Sequence, residues 1–172
     1  DTKTLSREHT VAISRSGLVT VTGGKWTTYR VMAEDVLAAC QEAKLLAPLP
    51  ECGTHKARMV GAPPAQAAVA SLSLAPGMHS YGVEQALVQS LPGADRWISP
   101  GLSEAMVRFA LRYEYALTVE DVLARRSRLL FLDAQEAAAA ASQVAALITQ
   151  ELEQDGDEAG FLEICAHFSL AP

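Results

Sequence analysis

The sequence predicts a mainly α protein that opens with a β-hairpin and a long helix. A β-branched run at residues 19–22 ends at Gly23-Gly24, and apolar residues then recur at helical spacing. Prolines and glycines crowd residues 47–64, and helical apolar stripes continue from Ala65 onward. We therefore expect a hairpin and helix over residues 1–46, a linker over 47–64, and an all-helical domain of about five or six helices over 65–172.

The hairpin is predicted from alternation on both sides of a turn. Val11 and Ile13 alternate with polar residues, Ser16-Gly17 supplies the turn, and a second strand covers residues 18–22. The helix that follows is expected from Lys25 to about Leu46, with an inward face made of Met32, Val36, Ala39, Cys40 and Ala43. A lone hairpin is marginal in water and leaves strand edges unpaired, so we expect the chain to self-associate.

The turn between strand and helix is the first candidate site. Glycines allow close backbone approach to a ligand, and the first helical turn presents unpaired N–H groups that favour an anion. Lys25 adds a positive charge, Trp26 offers a flat face, and Thr27 or Thr28 offers a hydroxyl. The structural alternative is a simple turn with Trp26 in the core. A phosphate-binding P-loop is excluded, because Val19 stands where its first glycine belongs.

Composition limits the classes of function. With 49% hydrophobic and 20% charged residues the chain is globular, and no apolar run is long enough to span a membrane. Residues 1–60 hold eight Lys and Arg against six Asp and Glu, whereas residues 61–172 hold six against fourteen. Because phosphate backbones require a concentrated basic face, this balance argues against nucleic-acid binding. Three widely spaced cysteines do not indicate a disulfide framework and are compatible with a reducing compartment.

The first part of the helical domain contains one charged residue on an apolar face. Short helices are predicted over residues 65–74 and 83–91, and Ser103 is expected to cap a helix that ends near Ala116. Glu114 lies on the apolar stripe of that helix, so its carboxylate needs a partner. The candidates lie on the next short helix, which Thr118 is expected to cap: Arg125, Arg126 and Arg128. The functional alternative is that these arginines bind an anionic substrate or lipid.

Two more helices are predicted near the end of the chain. Asp133 with Glu136 indicates the start of a helix that ends near Gln154, and Asp155 with Glu158 indicates the start of the last one. A calcium loop beginning at Asp155 is excluded, because alanine occupies two of its ligand positions. A zinc site is also not indicated, since Cys52 and His55 have no second ligand pair at suitable spacing.

Two blocks of sequence carry a family resemblance. The first comprises residues 6–10, 16–18 and 22–30 with Met32-Ala33-Glu34, and the second comprises Arg112-Tyr113-Glu114 with residues 118–128. In this order they closely resemble the C-terminal third of the FAD-dependent, quinone-linked glycerol-3-phosphate dehydrogenases. The resemblance covers most of the chain. No Gly-x-Gly-x-x-Gly fingerprint is present, so we expect the main FAD-binding half of such an enzyme to lie upstream.

The resemblance implies oxidation of sn-glycerol 3-phosphate to dihydroxyacetone phosphate, with electrons passing through FAD to a quinone. It places flavin contacts at Gly23, Gly24, Lys25, Trp26 and Thr27, and substrate contacts at Lys25 and Arg7. We also expect a homo-oligomer in the cytoplasm, with the parent enzyme peripheral on the inner face of the cytoplasmic membrane. The isolated chain is expected to be inactive. The alternative, from another class of function, is a non-catalytic helical docking module.

Overall fold

The computed structural model describes residues 8–68, 70, 71 and 73–169. The chain divides into two compact units, residues 1–58 and 59–172. Helices predominate, and the predicted mainly α fold with an N-terminal hairpin is confirmed. The second unit departs from the all-helical prediction in one detail, because it also contains a short antiparallel strand pair.

The first unit is the predicted hairpin followed by a helix. Strands β1 (His9–Ile13) and β2 (Val19–Gly23) pair antiparallel, with His9 opposite Gly23 and Ile13 opposite Val19. A 3₁₀ turn, Trp26–Thr28, leads into α1 (Tyr29–Glu42). Helix α1 is shorter than expected because Lys44 adopts a left-handed backbone conformation, with φ 58°. Among the described residues of this unit, Cys40 alone is buried.

The predicted helix over residues 65–74 is wrong. The residues of this range that the structure describes form turns, in which the Ala67 N–H donates to the Pro64 carbonyl. The Ser71 hydroxyl accepts from the Ser73 N–H and contacts the Ser73 hydroxyl. Serine side chains that bond to nearby backbone in this way compete with helical hydrogen bonds, which explains why the apolar spacing alone misleads.

The second helix of this unit begins earlier than expected and is interrupted. A 3₁₀ segment, Met78–Glu84, precedes α2 (Gln85–Ser90) and is kinked at Gly82. Gly82 has φ 55°, and a Cβ built there would lie 2.1 Å from the Gly61 carbonyl oxygen. Only glycine permits this contact, which brings the Val83 N–H to the same carbonyl at 3.1 Å.

Strands β3 (Trp97–Ser99) and β4 (Leu102–Ser103) form the additional pair. Helix α3 (Glu104–Tyr113) follows directly, and the Ser103 hydroxyl accepts from the Met106 N–H at its start, as predicted. A π-helical turn, Asp121–Arg126, then leads to the short α4 (Leu129–Leu132). The predicted cap by Thr118 is confirmed, since its hydroxyl accepts from the Asp121 N–H at 3.1 Å.

The last two helices complete the core of the second unit. Helix α5 (Ala134–Leu152) begins at Asp133, whose carboxylate accepts from the N–H groups of Gln135 and Glu136. Helix α6 (Glu158–Phe168) is capped by Asp157 rather than by the predicted Asp155, which accepts instead from the Asp157 N–H. Helix α5 contributes the longest buried stripe of the core: Ala137, Ala140, Ala141, Val144, Leu147 and Ile148.

Candidate active site

The candidate site in the first unit is the loop that joins β2 to α1. Gly23 and Gly24 both have left-handed backbone conformations, with φ 78° and 83°. A Cβ at Gly23 would lie 2.5 Å from the Glu8 carbonyl oxygen, and one at Gly24 would lie 2.4 Å from the Met32 sulfur. Both backbone conformations favour glycine. A Cβ at Gly23 would also clash with the backbone, whereas one at Gly24 would displace the flexible end of the Met32 side chain.

Thr28 holds the start of the helical segment in place. Its hydroxyl accepts from the Lys25 N–H at 3.2 Å and donates to the Lys25 carbonyl at 3.0 Å. The Thr28 N–H also donates to that carbonyl at 3.0 Å. Of the two threonines considered from the sequence, Thr28 therefore uses its hydroxyl within the turn. Thr27 is exposed, and its hydroxyl forms no hydrogen bond among the described residues.

The side chains at the start of the turn are directed to solvent. Trp26 is 88% exposed and Tyr29 61% exposed, with ring centroids 5.8 Å apart. The alternative that places Trp26 in the core is thus wrong. Lys25 is also exposed, and its ammonium group forms no ion pair within the described residues. A cation, an indole face and a free helical turn consequently lie together on one surface.

A histidine and a carboxylate lie beside this loop, although neither was selected as a site residue from the sequence. His9 Nε2 lies 2.7 Å from Asp35 Oδ2, and the two residues are 26 positions apart. His9 is largely covered, and its Cβ lies 3.4 Å from the position of a Cβ built on Gly24. The predicted hairpin was the sequence signal that could have identified His9, because the pairing of β1 with β2 brings His9 opposite Gly23.

Arg7, the second predicted substrate contact, lies outside the described residues. The remaining predicted positions, Gly23 to Thr27, form one continuous turn that is exposed except at the half-buried Gly24. Such a turn combines N–H groups without helical partners, a full positive charge and an aromatic face. These donors suit an anion or a group on which negative charge develops. The residues present therefore fit the edge of a reduced flavin and the phosphate of a substrate.

In the second unit, the predicted ion pair between Glu114 and an arginine is not formed. The Arg126 guanidinium donates instead to the backbone carbonyl of Glu114. Arg125 pairs with Asp121 at 3.0 Å and with Glu120 at 2.7 Å. The Glu114 carboxylate is left partly buried, and this burial raises its pKa, an effect that Glu84 reinforces and Arg126 opposes.

Comparisons with known proteins relate the chain to one family. Residues 52–159 match the family model described as the C-terminal domain of alpha-glycerophosphate oxidase. The chain is 32% identical to glycerol-3-phosphate dehydrogenase SDP6, mitochondrial, of Arabidopsis thaliana, over 90% of this chain and 29% of that protein. It is 36% identical to the mitochondrial glycerol-3-phosphate dehydrogenase of Bos taurus and 35% identical to that of Homo sapiens, in each case over 90% of this chain and 24% of the relative.

These matches confirm the resemblance read from the two sequence blocks. The chain spans about a quarter of the length of the curated relatives it matches. No solved structure matches it. In the described part of the chain, none of the helices is both long and apolar enough to cross a membrane. The family model covers more than half of the chain, and the chain therefore belongs to the family of the C-terminal domain of alpha-glycerophosphate oxidase.

Proposed function

We propose that this chain is the C-terminal part of an FAD-dependent enzyme that oxidises sn-glycerol 3-phosphate to dihydroxyacetone phosphate and passes the electrons to a quinone. The observation that carries the proposal is the exposed Gly23–Thr27 turn, in which Lys25 and Trp26 face solvent beside an open helical turn. The names of the similar proteins supply the substrate and the reaction type.

In this proposal Gly23, Gly24, Lys25, Trp26 and Thr27 hold the flavin, and Lys25 with Arg7 binds the substrate. FAD, when bound, would supply a hydride acceptor whose reduced form carries negative charge around N1 and the C2 carbonyl. The N–H groups of the helical turn and the Lys25 ammonium would stabilise that charge, and Lys25 and Arg7 would pair with the phosphate dianion. His9, which pairs with Asp35, lies beside Gly24 and would help to hold the loop in place.

The low burial of the first unit supports its place in a larger domain. Cys40 is the single buried residue among its described positions, and a two-stranded hairpin with one helix has too little core to be stable alone. We infer that the exposed faces of the hairpin and of α1 are covered by the remainder of the enzyme, and that the chain alone is inactive. The second unit, which has its own core, would serve as an assembly or docking domain.

Location and assembly follow from the same proposal. The enzyme would be a homo-oligomer that associates with a membrane surface to reach its quinone, without a spanning helix from this chain's described part. We propose the inner face of a cytoplasmic membrane, whereas the relatives from Arabidopsis thaliana, Bos taurus and Homo sapiens are named as mitochondrial proteins.

The proposal is tested by Lys25→Ala in the full-length enzyme. Steady-state oxidation of sn-glycerol 3-phosphate is expected to lose on the order of 100-fold in kcat/KM, because a positive charge at the reacting centre is removed. Lys25→Arg, which keeps the charge, should recover part of the loss. Lys56→Ala is the matched control, since Lys56 is an exposed lysine of the same unit. Wild-type kinetics in Lys25→Ala, with normal flavin absorbance, would exclude the assignment.

A further inference from the structure

The second unit contains two adjoining clefts that the proposed oxidation does not use. The first has a volume of about 900 Å³ and lies against the 3₁₀ segment and α3, with Met106 and Ala110 in its lining. The second has a volume of about 600 Å³ and is lined by Trp97, Ser99 and Glu136 among others. Pro76, Gly77 and Gly101 line both clefts, so the two are neighbours on one surface.

The polar side chains in the lining of the first cleft include two carboxylates and a tyrosine hydroxyl. In the described part of the chain, the carboxylates of Glu84 and Glu114 and the Tyr81 hydroxyl form no hydrogen bond or ion pair. The other partly buried carboxylates nearby differ, because Glu104 and Glu151 are both paired with arginine. Unpaired acceptors in a cleft whose lining mixes polar and apolar groups suit a ligand that brings both hydrogen-bond donors and apolar side chains.

The second cleft also contains a buried polar group without a partner. Ser99 is only 5% exposed, and its hydroxyl has no hydrogen-bond partner among the described residues. Trp97, in the same lining, is 57% exposed, and Glu136 adds a partly buried carboxylate. An exposed indole face together with a carboxylate is a suitable environment for an ammonium or guanidinium group.

The charge of the unit favours a basic partner. Residues 59–172 contain six arginines and no lysine, against fourteen aspartates and glutamates. Such an excess of negative charge steers cationic partners and raises their association rate. Together the two clefts exceed the volume of a typical small-molecule pocket, about 300–1,000 Å³, and they lie side by side rather than forming one enclosed cavity. These features suit an extended peptide better than a single small amine.

We propose that the two clefts form a docking groove for an extended segment of another polypeptide in which lysine or arginine alternates with apolar residues. We call this surface the acidic groove, and its recognition residues are Tyr81, Glu84, Trp97, Ser99, Glu114 and Glu136. Basic groups of the partner pair with the three carboxylates, and apolar side chains contact Met106, Ala110 and the Trp97 ring.

The test uses the whole chain and an acetylated octapeptide of alternating lysine and leucine labelled with fluorescein. Fluorescence anisotropy in about 0.1 M salt, where distant charges are largely screened, is expected to show saturable binding with one peptide per chain. An octapeptide of alternating glutamate and leucine should not bind. Equal affinity for the two peptides would overturn the proposal. So would an equal affinity for lysine ethyl ester, which would identify a small-amine site instead.

Two double variants distinguish binding in the acidic groove from attraction by the negative charge of the whole unit. Glu84→Gln with Glu114→Gln should weaken binding of the lysine peptide at least tenfold, because both carboxylates lose their charge in the groove. Glu153→Gln with Glu163→Gln removes the same charge at exposed positions outside both clefts and should change the affinity less than threefold. Equal losses in the two double variants would overturn the proposal.

Trp97→Ala provides an independent test at an exposed residue whose replacement leaves the core intact. It should weaken binding of the lysine peptide at least fivefold, because the indole face is removed. Circular dichroism establishes that each variant is folded. If the Glu84 and Glu114 double variant does not fold, Trp97→Ala decides the question, and unchanged affinity in that variant would contradict the proposal.

Discussion

Gly24 adopts a backbone conformation that favours glycine, and a side chain at this position would displace Met32. The residue has φ 83°, and the space beside its Cα is filled by the Met32 side chain. Gly24→Ala should destabilise the first unit by about 1–2 kcal/mol from backbone strain, with a further cost as Met32 is displaced. Hydrogen exchange of the β1 and β2 amides in the full-length enzyme, where the rest of the domain would cover this unit, measures the change as reduced protection. Gly53→Ala is the control, because a Cβ at Gly53 meets nothing within 4 Å; equal effects of the two substitutions would contradict the explanation.

Burial of Glu114 disfavours the charged form of its carboxyl group. Its pKa is raised by burial, so above that pKa the charged form penalises the folded state, and below the ordinary value of 4.5 the penalty is absent. Glu114→Gln should therefore leave the melting temperature at pH 7 unchanged or higher. The difference from the wild type should vanish below pH 4.5. A lower melting temperature of the variant at pH 7 would instead indicate the ion pair that the sequence suggested.

The sequence predicted the position of the candidate loop correctly, whereas the orientation of its side chains could be seen only in the structure. The position of the turn follows from β-branched residues ending at two glycines. That Trp26 is exposed, and that Thr28 rather than Thr27 is bonded to Lys25, depends on the orientation of side chains in the turn. The contact of His9 with Asp35 joins residues 26 positions apart, which no local pattern reports.

At the scale of elements, polar capping residues predicted where helices begin more accurately than apolar spacing predicted which segments are helical. Ser103, Thr118 and Asp133 were identified from short polar signals and all bind the expected N–H groups. The predicted helix over residues 65–74 failed because serine hydroxyls there bond to nearby backbone. The β3–β4 pair escaped detection because its strands contain only three and two residues, too few for an alternating pattern.

The cap at Asp133 gives a prediction for α5. Its carboxylate accepts from the Gln135 N–H at 3.1 Å and from the Glu136 N–H at 2.9 Å. Asp133→Ala should lower the free energy of unfolding by about 1 kcal/mol, because two N–H groups lose their acceptor. Asp133→Asn keeps an oxygen at the same place and should be nearly neutral. Urea denaturation measures both, and an equal loss in the two variants would show that the cap is not the cause.

At the scale of the whole molecule, a chain of charges joins α3 to α5. Glu151 accepts from Arg112 at 2.7 Å and from the buried Arg108, and Arg108 also donates to Gln150 at 2.8 Å. Glu104 lies between Arg96 and Arg108. Gln150 and Glu151 are about 40 residues from their arginine partners along the sequence, so these pairs could not be predicted from periodicity, although the apolar faces of both helices could be.

Removal of Arg108 tests whether this chain of charges stabilises the second unit. Arg108→Met leaves Glu151 with Arg112 as its partner, so we expect a loss near the lower end of the range for a broken buried pair, about 3 kcal/mol. Arg128→Met is the control, because Arg128 is exposed and forms no ion pair within the described residues. Urea denaturation at pH 7 gives both values, and similar losses in the two variants would contradict a structural role for Arg108.

The same pairs determine how the wild type responds to acid. The hydrogen bond from Arg112 holds the pKa of Glu151 below its ordinary value of 4.5, and Arg108 acts in the same direction. The stability that this provides is complete above pH 4.5 and is lost as the pH falls through the lowered pKa. In Arg108→Met, a smaller part of the stability should therefore depend on pH in that range. An acid titration of the melting temperature that is identical in both proteins would contradict this.

The absence of lysine from residues 59–172 has a consequence at the opposite end of the pH scale. Every basic side chain of that unit other than histidine is an arginine, which keeps its proton far into alkali, whereas a lysine loses its proton at about pH 10.4. The ion pairs of Glu104 and Glu151 with arginine therefore keep both their charges in alkali. Alkaline conditions that break lysine-based ion pairs leave the charges of Arg108, Arg112 and Glu151, which link α3 to α5, in place.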